Sequence, residues 1–209
     1  MTSNRLFVLL GCAFALASFL GACKSQPTAT SETAPLESAK GLKAAAEFAD
    51  IEDETERSKA IFGEMARVIQ HPRCSNCHPA GDSPMQGDDM LPHQPLVVRG
   101  EDGFGAPGMR CGTCHGEANF GNVPGDKHWH LAPLSMAWQG VAVTDICAQL
   151  KDPERNGGKD LAGIIDHMKN DSLVAWGWAP PEHLEPAPGT QAIMGELTEA
   201  WVASGAHCP

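Results

Sequence analysis

The sequence is organised around two pentapeptides, Cys74-Ser75-Asn76-Cys77-His78 and Cys111-Gly112-Thr113-Cys114-His115. Both have the pattern C-x-x-C-H, which is the attachment signature for c-type haem. In that chemistry the two thiols form thioethers with the haem vinyl groups, and the adjacent histidine is held close enough to ligate the iron. The repeat therefore predicts two covalently attached haem c groups. The residues predicted to bind them are Cys74, Cys77, His78, Cys111, Cys114 and His115.

A pair of C-x-x-C sequences also occurs in zinc ribbons, which is the main alternative. The spacing argues against it, because the 33 residues between Cys77 and Cys111 exceed the usual ribbon loop. A histidine follows both cysteine pairs, and a zinc ribbon does not require one there. The compartment predicted from the N-terminus also favours haem.

Residues 1–22 predict a lipoprotein signal peptide. Arg5 supplies a short basic region, and Leu6–Leu20 is an apolar run too short to cross a membrane comfortably. The following Leu20-Gly21-Ala22-Cys23 resembles the box after which Cys23 becomes the lipidated N-terminus; an ordinary secretory signal is the alternative. Lys24 favours the outer over the inner membrane. The expected location is thus the periplasm, on a lipid anchor.

The chain is strongly acidic, with a formal net charge of −11, which becomes −12 when Arg5 is removed with the signal. Such a surface disfavours binding to nucleic acid or to anionic lipid. It favours a redox protein partner that presents a basic docking patch.

The mature sequence predicts a tether and one domain. Residues 23–38 comprise the lipidated cysteine and a Ser-, Thr-, Pro- and Ala-containing segment without apolar periodicity, which is typical of a disordered linker. Residues 39–209 suit a single domain. Its composition predicts a mainly α fold with extensive irregular loops. Because aromatic residues are few and tyrosine is absent, we expect the haems to form much of the core.

Apolar periodicity and capping residues predict the helices of this domain. Ile61, Met65, Val68 and Ile69 form the clearest amphipathic face. We expect Thr144 and Thr190 to be N-caps and Gly205 to follow the last helix. A short strand is expected at Leu96–Arg99. The predicted helical segments are Ala39–Gln70, Thr144–Asp152, Lys159–Asn170 and Thr190–Ser204.

The segment between the two motifs, Pro79–Arg110, is rich in glycine and proline and predicts a loop. A loop this long usually wraps something, and haem is the obvious object here. The loop contains Gly103-x-Gly105-x-x-Gly108, which matches the dinucleotide-binding fingerprint. We reject that interpretation because no βαβ pattern surrounds it and the next feature is a C-x-x-C-H motif.

The sixth iron ligand decides whether a haem carries electrons or reacts. A methionine raises the reduction potential, a second histidine lowers it, and an open position permits peroxide chemistry. His93 lies fifteen residues after His78, and His130 lies fifteen after His115. We therefore predict bis-histidine ligation, with His78 paired to His93 and His115 paired to His130. The alternative ligands are His128, His71 and Met136.

Two cysteines have no role in this scheme, Cys147 and Cys208. In an oxidising periplasm a disulfide between them is the default expectation.

From about His71 onward the chain resembles a family of small exported bacterial di-haem c-type cytochromes, whose members often carry the label isoquinoline 1-oxidoreductase subunit. The resemblance rests on six runs that follow the first motif: Pro79-Ala80-Gly81-Asp82, Met85-Gln86-Gly87-Asp88, His93 with Val98-Arg99-Gly100, Trp129-His130-Leu131-Ala132-Pro133, Cys147-Ala148-Gln149-Leu150 and Trp176-Gly177-Trp178. It implies electron transfer beside a periplasmic dehydrogenase. Nothing in the sequence resembles a molybdopterin pocket or a four-cysteine [2Fe–2S] site.

The leading functional hypothesis is a lipid-anchored periplasmic cytochrome that carries electrons between redox partners. One alternative is a di-haem peroxidase-like enzyme with one open haem site. The other is the electron-accepting subunit of a periplasmic molybdenum hydroxylase.

Overall fold

Helices dominate the computed structural model, which describes residues 41–209. The predicted mainly α fold with long irregular connections is therefore confirmed. The signal peptide, Cys23 and the tether lie outside the described residues. The α-helices are α1 Glu54–Ile69, α2 Pro72–Ser75, α3 Val143–Leu150, α4 Leu161–Asn170, α5 Ser172–Ala175 and α6 Gln191–Ala203. Short 3-10 helices occur at Ala45–Phe48, Cys111–Thr113, Leu134–Met136 and Trp176–Trp178.

The amphipathic face predicted for the first helix is confirmed. Ile61, Met65, Val68 and Ile69 are each at most 2% exposed. Asp53 caps α1 by accepting a hydrogen bond from the backbone N–H of Glu56. The helical segment predicted over Ala39–Gln70 is divided in the structure, because residues between the 3-10 turn and Asp53 connect the two helical pieces without helical structure.

Helices α4 and α6 are also capped at their N-termini by side chains. Asp160 accepts a hydrogen bond from the N–H of Gly163, and Thr190, the predicted cap, accepts one from Ile193. Gly205 follows the C-cap Ser204 with φ of 91°, as predicted for a residue that ends a helix.

The predicted cap of α3 was wrong. The helix begins at Val143, after Ala142, so Thr144 is already inside it. The Thr144 hydroxyl instead donates to the carbonyl oxygen of the C-terminal Pro209 at 3.0 Å. The Thr144 side chain therefore bonds to a residue that is distant in sequence and makes no cap bond at the start of α3. Sequence alone does not reveal this partner.

The hydrophobic core forms where α6 packs against both α1 and α4. Trp201 is fully buried and meets Phe62 of α1 at a ring-centre distance of 5.1 Å. Met194 and Leu197 on α6 are likewise fully buried. The helices thus have an apolar interior of their own, and the predicted contribution of haem to the core stays a prediction.

A disulfide joins Cys147 of α3 to Cys208 near the C-terminus, with 5.6 Å between their Cα atoms. It is the pair that the sequence predicts. A bond that closes a loop of this size stabilises a protein by about 2–4 kcal/mol, chiefly by restricting the unfolded chain. It fastens the end of the chain to the helical core.

The predicted strand at Leu96–Arg99 was wrong. The loop Pro79–Arg110 instead contains two small antiparallel hairpins on either side of that segment: β1 Met85–Gln86 with β2 Leu91–Pro92, and β3 Gly105–Ala106 with β4 Met109–Arg110. Arg99 uses its guanidinium to hold the loops together by donating to the carbonyl oxygens of Ala132 and Gly81. Its buried side chain therefore acts as a cross-link rather than as part of a sheet.

The glycines of the Gly103-x-Gly105-x-x-Gly108 run have a structural role. Gly103 adopts φ of +83°, and a Cβ there would lie 2.6 Å from the carbonyl oxygen of Leu131. Gly103 also accepts a backbone hydrogen bond from Leu131 at 2.9 Å. The glycine therefore lets the His130 segment approach the loop closely, in agreement with the rejection of a dinucleotide site.

Within residues 41–209, no helix has both the length and the apolar composition needed to span a bilayer.

Candidate functional site

The two C-x-x-C-H motifs share a pattern of backbone hydrogen bonds, although the first begins in the α-helix α2 and the second in a 3-10 helix. In the first, the N–H of His78 donates to the carbonyl oxygen of Cys74 at 3.2 Å; in the second, that of His115 donates to Cys111 at 2.9 Å. Side chains three and four residues apart on a helical turn lie on one face. In a regular helical turn this spacing brings the two cysteines and the histidine of one motif toward one side. That grouping is what covalent attachment and ligation of one haem require.

The ring of His78 is fixed on two sides. Its Nδ1 lies 2.6 Å from the carbonyl oxygen of Met136, and its face stacks on Trp138 with 3.4 Å between ring centres. Because a carbonyl oxygen only accepts, Nδ1 carries the hydrogen and Nε2 is left for a metal. The half-buried ring is thus held in the tautomer of an iron ligand.

His115 is fixed in the same manner. Its Nδ1 lies 2.8 Å from the carbonyl oxygen of Pro124, and its ring stacks on Trp129 at 4.8 Å with planes 15° apart. Trp129 in turn meets the edge of Trp176 at 4.9 Å. Both motif histidines therefore have the same two supports, a backbone carbonyl at Nδ1 and a tryptophan face.

Burial keeps both imidazoles neutral. It lowers the pKa of His78 to about 3, against the opposing effect of the Met136 carbonyl, and His167, Arg99 and His130 lower it further. Burial likewise lowers the pKa of His115, opposed by the Pro124 carbonyl, and nearby His93 adds to the lowering. A neutral imidazole is the form that ligates a metal.

The cysteines of the first motif are protonated thiols. Burial raises the pKa of Cys74 to about 12 and that of Cys77 to about 11. Zinc and nucleophilic chemistry both use the thiolate, which a low pKa favours. These surroundings therefore do not favour the thiolate of a reactive cysteine, whereas a thioether carries no charge.

One cavity of about 610 Å³ is bordered by both motifs. Such a volume is in the range of cofactor sites, about 300–1,000 Å³. Much of its lining is apolar and includes side chains that are unusually exposed for their type, with Leu91 at 57% and Met109 at 44%. The motif residues that line the cavity are Cys77, Cys111, Cys114 and His115.

A buried cation also borders this cavity. Arg73 is 3% exposed, its Nη2 lies 2.6 Å from Asp88, and its guanidinium lies 5.9 Å from the ring of Trp176. Within the described chain its buried Nε–H has no hydrogen-bond partner. An unpaired donor on a buried cation beside an apolar cavity suits a carboxylate, and haem carries two propionates. The residues that line this cavity thus fit a haem attached through the second motif, whereas Cys74 and His78 of the first motif are not among its lining residues.

The structure places His93 and His130 differently from the predicted pairing. The ring of His93 lies 6.0 Å from that of His115, not against His78. His130 stacks on Phe104 at 4.8 Å and is close enough to His78 to lower its pKa. His93 thus lies nearer to His115 than the expected pairing implies, while ligation of iron by either His93 or His130 stays a prediction.

The alternative ligands are placed less favourably. Nδ1 of His71 accepts a hydrogen bond from the N–H of Arg73, so its hydrogen sits on Nε2 and that nitrogen has no free lone pair. The side chain of Met136 belongs to the hydrophobic core at 4% exposure. His128 is exposed, and its backbone is turned by a bond from its N–H to Asp126.

Sequence reasoning missed the supporting residues. Trp129, Trp138 and Arg73 were not assigned roles, although two of them stack on the motif histidines and the third borders the cavity. Trp129 lies next to His130 in a conspicuous Trp-His-Leu run. Arg73, directly before the first cysteine, was a further available signal.

Among residues 41–209, no three His, Cys, Asp or Glu side chains are grouped as they would be around a metal ion. A haem iron takes four nitrogens from the porphyrin and at most two ligands from the protein. A larger protein-only cluster is therefore not what the motifs predict. Comparisons of the chain with protein-family models, curated proteins and solved structures found no match.

Proposed function

We propose that this chain is a periplasmic, lipid-anchored di-haem c-type cytochrome that carries electrons between redox proteins. The observation that supports it best is the shared hydrogen bond from the histidine N–H to the first cysteine in both motifs, each with a neutral histidine whose Nδ1 is engaged. When bound, each haem would supply reversible one-electron chemistry at its iron.

In this proposal the protein residues attach, orient and enclose the two haems. Cys74, Cys77, Cys111 and Cys114 supply the thioether sulfurs, and His78 and His115 supply the proximal nitrogens. The carbonyls at their Nδ1 atoms raise the basicity of the ligating nitrogen and restrict rotation of each ring. Arg73 offers its unpaired Nε–H to a propionate.

The proximity of the motifs supports transfer of electrons through both centres. Cys77 of the first motif and Cys111 of the second border the same cavity. Cys111 is also close enough to Cys77 to contribute to its raised pKa, after the larger effect of burial and the opposing effect of Arg73. Two haems attached here would be neighbours, as stepwise transfer requires.

The charge of the chain supports a protein partner. With a formal net charge of −11, the surface would attract a redox protein that presents lysines or arginines, and salt would slow the encounter. The proposed lipid anchor at Cys23 would keep the domain at the membrane surface.

Carbon monoxide binding distinguishes a carrier from a peroxidase. We expect the reduced protein to titrate in two reversible one-electron steps, and we expect neither ferrous haem to bind carbon monoxide rapidly, because both axial positions are taken by protein ligands. The measurement is an optical redox titration followed by mixing with the gas. Rapid, stoichiometric binding at one haem would instead favour the peroxidase-like alternative.

A further inference from the structure

The loop between the two motifs is bonded to the first motif and places the ring of His93 beside the second. Hairpin β1–β2 is fastened to the first motif, because the N–H of Met85 donates to the carbonyl oxygen of Asn76 at 3.1 Å and the Asn76 side chain donates to Gly87 at 2.9 Å. His93 follows directly after β2. The hairpin thus joins the first motif to the His93 ring, which lies beside His115.

The Nδ1 atom of His93 is bonded to a backbone carbonyl oxygen, as it is in both motif histidines. Its Nδ1 lies 2.8 Å from the carbonyl oxygen of Pro95, so Nδ1 carries the hydrogen and Nε2 retains its lone pair. Its backbone N–H donates to Pro84 at 3.2 Å. The ring is half-buried and lines the same cavity as His115.

The distance between the rings of His93 and His115 suits a shared metal atom. Their centres are 6.0 Å apart. Two metal–imidazole bonds of about 2 Å each, together with about 1 Å from each ring centre to its nitrogen, also span about 6 Å. The 6.0 Å separation is therefore compatible with one metal atom between the two rings.

We propose that His93 is the sixth ligand of the haem attached through Cys111 and Cys114, opposite His115. The inference rests on the proposed di-haem function. It means that the loop leaving the first haem motif completes the second haem site, so that the two sites are interlocked. His93 and His115 then act as one bis-histidine pair.

Single-haem proteins provide the sharpest test. Cys74→Ala/Cys77→Ala should retain only the second haem, and Cys111→Ala/Cys114→Ala only the first. Adding His93→Ala should convert the haem of the former from low-spin to high-spin in full, by electron paramagnetic resonance and optical spectra, and should leave the latter low-spin. Added imidazole should restore the low-spin signal, because it replaces the missing ligand. His207, which is exposed and does not line the cavity, supplies the control, and His207→Ala should change neither spectrum.

The intact two-haem protein provides a second route that does not require the single-haem variants to fold. In His93→Ala, one of two haems should become high-spin, and its unpaired electrons should broaden the indole NMR signals of Trp129, which stacks on His115. The signals of Trp138, which stacks on His78, should change less.

Conversion of the first haem alone, broadening at Trp138 instead of Trp129, or no change in either haem would overturn the inference. The proposed function would survive each of those results, because the protein would still carry two haems. A protein without haem absorption would overturn both.

Discussion

Replacing Cys111 and Cys114 together with alanine should give a protein that carries one haem instead of two. Each motif forms its own turn, with its own histidine held at Nδ1, so the first haem has the groups it needs when the second pair of thiols is lost. The measurement is the intact mass of the protein made in a host with cytochrome c maturation machinery. It should fall by one haem relative to the wild type.

Two matched variants accompany this experiment. Cys74→Ala/Cys77→Ala should also lose one haem, and combining both pairs should lose both. Cys147→Ala/Cys208→Ala removes the disulfide and should retain two haems while losing about 2–4 kcal/mol of unfolding free energy. Retention of two haems by either motif variant would refute attachment through that motif.

Replacing Trp201 with alanine should reduce the unfolding free energy by about 3–5 kcal/mol, the usual cost of truncating a fully buried tryptophan. Trp201 packs on Phe62, and its indole N–H donates to the carbonyl oxygen of His207 at 3.1 Å. The variant therefore loses apolar burial, leaves a cavity and strands an acceptor. Guanidinium denaturation of the haem-loaded protein, followed by far-UV circular dichroism, measures the loss.

The control for Trp201 is Phe120, an aromatic residue that is 86% exposed. Phe120→Ala should change the free energy by less than about 0.5 kcal/mol. If Trp201→Ala cost less than about 1 kcal/mol, α6 would not be central to the core, and haem would have to supply most of the stabilisation.

The helices were largely predictable because their signals are local. Ile61, Met65, Val68 and Ile69 recur with the helical period, and Thr190 precedes α6 as an N-cap should. Thr144 was misassigned because its partner, Pro209, is 65 residues away in sequence. A capping side chain and one that ties a distant segment look alike in sequence.

The motifs were predictable, and the position of His93 beside His115 was not. The spacing of His93 from His78 suggested a loop that returns to its own haem. The path of that loop is set by long-range contacts, including the bonds from Arg99 to Ala132 and from Leu131 to Gly103. Sequence separation limits which groups can meet, while such contacts decide which of them do.

The most direct test of the central claim is the intact mass and metal content of the mature wild-type protein, produced with cytochrome c maturation machinery. The account predicts covalent addition of two haems, one iron for each, and no stoichiometric zinc. A chain that has the mass of the polypeptide alone, or that binds zinc through its four motif cysteines, would contradict it.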